Sequence, residues 1–113
     1  MQEIIDPQKS VDFMIAKSKA YAIAEGNKVY MEEMRKTIKA EQMAAAELRG
    51  HKTAAIQERE AYASAPYKQH LLALQEAVEV REELKWMMVA AQARIECWRT
   101  QSANDRNIDR ATM

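Results

Sequence analysis

The sequence predicts an all-α fold, an antiparallel hairpin of two long helices whose second arm is broken near Pro66. Three observations predict it. The 113 residues include just two glycines and two prolines, so turns are few. Alanine, methionine and charged helix formers dominate the composition. In the second half of the chain, residues suited to a packed stripe recur at steps of three and four, the spacing of one helix face.

The first helix is expected to start at Asp6-Pro7 or near Ser10. An Asp carboxylate accepts from the orphan N–H groups of a first turn, and proline suits the first helical position. From Val11 to about Arg49 no proline interrupts, and Gly26-Asn27 is the one weak point, costing ~1 kcal/mol relative to alanine and favouring a kink or short break. Gly50 comes after Leu48-Arg49 where a left-handed C-cap belongs, and Thr53 can cap the return arm, which places the bend between them. Pro66 disfavours helical geometry at Ala65 and predicts a discontinuity there, with Ser64 capping the helix beyond it.

The second long helix is expected from about Pro66 to Ala103. Its seam reads Tyr67, His70, Leu74, Ala77, Arg81, Leu84, Met88, Ala91, Ile95, Trp98. Met31, Met34, Ile38, Glu41, Ala45 and Leu48 form the facing run on the first helix, and Glu41 is the candidate partner for Arg81. Leu71, Val78, Met87 and Ala90-Ala91 widen the apolar stripe beyond what one hairpin covers, which predicts a homo-oligomer with Leu74, Leu84, Met88, Ala91, Ile95 and Trp98 on its core and interface seam. Residues 1–113 are expected to form one helical domain, with a polar tail at 100–113 that frays.

Composition sets limits on function. Hydrophobic residues make up 48% of the chain, but much of that is alanine and methionine, with one Phe, two Trp and four Tyr, so the core should be thin. Seventeen basic side chains balance seventeen acidic ones, so any site for nucleic acid has to be a local patch. A single cysteine, Cys97, rules out an intrachain disulfide and points to a reducing, cytoplasmic setting. The first residues lack the basic start and apolar run of a signal peptide, and no stretch approaches the ~18 apolar residues of a membrane span.

Catalytic chemistry needs convergent groups, and none has a recognised spacing. Cys97 lacks a neighbouring histidine, and His51 and His70 are too few for a zinc site of their own. Glu32-Glu33 and Glu82-Glu83 are sequence neighbours whose side chains diverge by ~100° on a helix. We therefore expect no catalytic residue, no metal site and no cofactor. What does stand out is a basic and aromatic stripe on the first helix: Lys17, Tyr21, Lys28, Arg35 and Lys39 at steps of four or seven, flanked by Tyr30 and Lys36. Such a face suits single-stranded DNA, with cations on phosphates and tyrosines on bases. It equally suits an ordinary solvated face whose lysines pair with Glu25, Glu32 and Glu41. Trp86 lies off the seam and is either a stacking residue or an interface residue.

The run Leu84-Lys85-Trp86-Met87-Met88-Val89-Ala90-Ala91-Gln92-Ala93-Arg94-Ile95-Glu96-Cys97-Trp98-Arg99-Thr100 resembles the last helix of small proteins of tailed phages. With the Glu-Met-Arg-Lys arm and the Arg-Glu-Ala-Tyr-Ala turn, it distantly resembles UvsY-type recombination mediators. That resemblance implies a ring-forming helical protein that binds single-stranded DNA and contacts a recombinase or annealing protein in a bacterial host. It adds Arg94 and Arg99 to the candidate DNA contacts. Mediators of this kind are more basic and carry a longer polar excursion between their arms. The rival expectation is a helical protein-protein interaction module, such as a phage inhibitor of a host factor or an assembly scaffold, with no nucleic acid.

Overall fold

The structure is a computed structural model and describes residues 4–112. Three helices carry nearly all of them: α1 (Pro7–Leu48), α2 (Ala54–Ala63) and α3 (Ala65–Thr112). The fold is all-α, with no strand among the described residues. None of the helices is long and apolar enough to cross a membrane.

Helix boundaries reflect capping chemistry. Asp6 Oδ1 accepts the Gln8 backbone N–H at 2.9 Å, and Pro7 opens α1 as its composition predicts. At the other end Gly50 takes φ 102°, His51 N–H reaches back to the Ala46 carbonyl, and Gly50 N–H reaches Glu47. These two bonds make a Schellman closure, which requires the left-handed residue that glycine supplies without strain. Thr53 then caps α2 through its hydroxyl, which accepts from Ile56 N–H at 3.3 Å. Gln57 Nε2 donates to the His51 carbonyl at 2.9 Å and ties the bend to α2.

The break in the second arm falls at Ser64, one residue earlier than the effect of Pro66 on Ala65 predicts. Ser64 has extended backbone, its hydroxyl donates to the Ala61 carbonyl at 2.6 Å, and it accepts from Tyr67 N–H at 3.4 Å. One side chain thus closes α2 and opens α3. Pro66 sits in the first turn of α3, where its missing N–H would have had no helical partner. Gly26 causes no break: α1 is helical straight through it. Nor does α3 stop near Ala103; residues 100–112, where fraying is expected, are helical, with Thr100 and Thr112 hydroxyls donating to the carbonyls of Glu96 and Asp109.

Two compact units divide the described chain: residues 23–82, and residues 4–22 with 83–112. Within the 23–82 unit, α1 packs antiparallel against α2 and α3. Three ties set the register: Lys39 to Glu58, Met31 to His70, and Glu25 to Arg81. The other unit sets the first turns of α1 beside the Met87–Arg94 stretch of α3, with Ser10 and Ala91 both buried.

The thin core that the composition predicts is present. Its buried hydrophobic residues are all alanine (Ala24, Ala46, Ala61 and Ala91), and no large side chain among the described residues is fully buried. Small side chains let helices approach closely but bury little apolar area each, and burial stabilises by only ~25 cal/mol per Å².

The packed face of α1 includes Met31, Met34, Ile38 and Ala45 of the predicted run but not its other two residues. Glu41 and Leu48 are exposed, Leu48 at 91%. Towards the start of α1 the inward residues alternate steps of four and three through Ser10, Met14, Lys17, Tyr21, Ala24, Lys28 and Met31, and Gln42 joins them between Ile38 and Ala45. On α3 the predicted seam holds from Tyr67 to Ile95, with His70 and Ala91 buried and Leu74, Leu84, Met88 and Ile95 half-buried. Trp98 departs from it. It is 39% exposed because it lies a full turn beyond Arg94, past the point where α1 begins opposite.

Candidate interaction surfaces

The seven residues expected to form an outward DNA-binding stripe are placed differently from one another. Lys17 and Tyr21 are half-buried in the unit of residues 4–22 and 83–112. In the 23–82 unit Lys28 is half-buried on the packed side, its ammonium 3.9 Å from Glu32. Lys stems lie along apolar surface readily, which explains how a basic residue occupies a seam position. Lys36 pairs with Glu33 at 3.4 Å on an exposed face. Arg35 and Tyr30 are exposed, Tyr30 at 60%. The stripe is therefore no continuous outward face, because its phase matches the seam of α1.

Lys39 is the most engaged of the seven. Its Nζ lies 3.2 Å from Glu58 Oε1 and 4.9 Å from the centre of the Tyr62 ring. Tyr62 in turn meets Tyr67 edge to face, with centroids 5.2 Å apart. The Tyr62 side chain first, and the Glu58 carboxylate second, hold the Lys39 ammonium above its usual pKa of 10.5. Residue spacing places Lys39 on the stripe but hides both partners, since they come from the far side of the bend.

Arg81 is the one guanidinium on the α3 seam, and it pairs with Glu25 through Nε and with Glu82 through Nη1. The expected partner, Glu41, is exposed and belongs to a different register. His70 is buried, its Nε2 2.6 Å from the Met31 carbonyl. On the C-terminal stretch of α3, Arg99 pairs with Glu96 at 3.1 Å, and Arg94 borders a cavity beside the start of α1. No group of three or more His, Cys, Asp and Glu side chains capable of holding a metal gathers among the described residues.

Exposed large apolar side chains are the main feature of the surface. Leu72 is 66% exposed, Trp86 61%, Ile15 68% and Ile23 55%. Lys85 Nζ sits 5.6 Å from the centre of the Trp86 ring, leaving most of that ring to solvent.

No family model matches the chain, and no curated protein or solved structure matches it either.

Proposed function

We propose that this protein works by binding and not by bond chemistry, as a self-associating helical interaction module whose outward apolar side chains meet another protein surface, beginning with a second copy of itself. The observation that supports this reading is the set of exposed large apolar side chains, together with an alanine core. A chain that leaves Leu72, Trp86 and Ile15 largely in water, while its buried hydrophobic residues among those described are all alanine, gains by association what it forgoes in folding.

A second reading keeps the recombination-mediator role: an oligomer that binds single-stranded DNA and contacts a recombinase or annealing protein. Exposed Arg35 and Tyr30 on one helix favour it, since a guanidinium suits a phosphate and an open ring suits a base. It has to draw on fewer cations than the sequence offers, because Lys28, Lys36 and Lys39 already have carboxylate partners.

A titration of labelled single-stranded DNA between ~50 and ~200 mM salt separates the two. The interaction-module reading predicts no saturable binding at ~50 mM salt, where phosphate contacts are strong. Binding that weakens with salt and is lost in Arg35→Gln would replace it with the mediator reading.

A further inference from the structure

Resting on the self-association reading, we infer that a second copy of the chain docks on the outer face of α3 in the unit of residues 4–22 and 83–112, helix against helix and antiparallel. Trp86, Val89, Ala93, Cys97 and Thr100 recur at steps of three and four, so they share one face of α3, and all five are exposed. The seam residues Leu84, Met88, Ala91 and Ile95, which this unit buries or half-buries, lie about half a turn away. Trp86 is 61% exposed and Val89 44%, and no charged residue interrupts the stripe. Such a row suits a second helix.

Two features match the stripe to itself turned end for end. The first is size. With a two-fold axis near residue 91, Trp86 of each copy sits opposite the small Cys97 of the other, and Val89 opposite Ala93. In a parallel pair the two indoles would meet and hold the helices apart along the small residues. The second feature is charge. Lys85 and Glu96 flank the stripe on the same edge, ~16 Å apart along the axis and so unable to pair within one helix. The antiparallel register sets Lys85 opposite the Glu96 of the second copy, twice by symmetry. Lys85 Nζ already lies beside the Trp86 ring, 5.6 Å from its centre. Arg99 and Gln92 both meet Glu96 through Oε1, and a carboxylate has a second oxygen to offer a further cation.

Sedimentation equilibrium of the full chain and its charge variants tests the pairing. Lys85→Glu should weaken self-association several-fold by setting like charges face to face, and adding Glu96→Lys should restore it, with helicity unchanged throughout. Oxidative cross-linking checks the direction. In chains that also carry Cys97→Ser, an oxidised mixture of Val89→Cys and Ala93→Cys should give the mixed disulfide dimer. The parent should stay unlinked, because its two Cys97 would lie ~18 Å apart along the axis, beyond the ~7 Å limit between the Cα atoms of a disulfide. A parent linked through Cys97, the absence of the mixed disulfide, or a multimer indifferent to Lys85→Glu or not rescued by the swap overturns this pairing and leaves self-association standing. A parent that is monomeric at every concentration overturns the reading on which the pairing rests, and the pairing with it.

Discussion

His70 Nε2 lies 2.6 Å from the carbonyl oxygen of Met31, tying a buried side chain of α3 to the backbone of α1. A carbonyl can only accept, so Nε2 carries the proton and donates. The Met31 carbonyl also belongs to the α1 ladder, so removing the imidazole leaves it with its helical partner. His70→Leu keeps much of the volume and should cost about 1–2 kcal/mol, the loss of one part-buried hydrogen bond and some packing. Urea denaturation measures it. Stability equal to the parent would show that the two helices do not meet at this point.

The Arg81 partnership sets the antiparallel register of the 23–82 unit. Glu25→Gln should lower stability by about 1 kcal/mol, and Glu41→Gln should change it by less than about 0.5. A double-mutant cycle between Arg81 and Glu25 is the cleaner measurement, with a coupling of about 1 kcal/mol expected. Coupling of Arg81 to Glu41 instead would restore the register that the sequence pattern suggests.

The two glycines should respond in opposite directions. Nothing lies within 4 Å of a Cβ built at Gly26, which sits inside α1, so Gly26→Ala should stabilise by about 1 kcal/mol. Gly50 has equal room but holds φ 102°, so Gly50→Ala should destabilise by roughly 1–2 kcal/mol through backbone strain alone. Thermal denaturation of both variants tests the pair. Destabilisation by Gly26→Ala would mean that α1 bends there.

Lys39 predicts a pH dependence in the alkaline range. Its folded pKa is raised, so its ion pair with Glu58 and its contact with Tyr62 stabilise the fold fully below the unfolded value of 10.5. That contribution is lost as pH rises through the higher folded value. Carbon NMR of the Lys39 Cε should give a midpoint above 10.5. Tyr62→Phe should bring it down most, and Glu58→Gln next. A midpoint at or below 10.5 in the parent would show that neither partner holds the ammonium.

Each feature was legible in the sequence to the extent that it depends on local chemistry. Caps are local, so Asp6-Pro7, Gly50, Thr53 and Ser64 were all readable from residue type and neighbours. The α3 seam was readable because its apolar residues are large and regularly spaced. On α1 the inward positions include Lys17, Lys28 and Gln42, while Leu48 and Ile23 point out, so hydrophobicity alone misplaces these residues. The partners of Lys39 and Arg81 needed the register, which residue type alone does not supply. The cavity beside Ser10 depends on two helices meeting far apart in sequence, and no local pattern announces it.

Self-association is the central claim, and the solution mass tests it most directly. The exposed Leu72 and Trp86 ask for a second protein surface. Light scattering at micromolar concentration should report a whole-number multiple of 13.0 kDa, and Leu72→Ser combined with Trp86→Ser should shift it towards the monomer without loss of helicity. A mass of 13.0 kDa at every concentration, unchanged by those substitutions, would contradict the account.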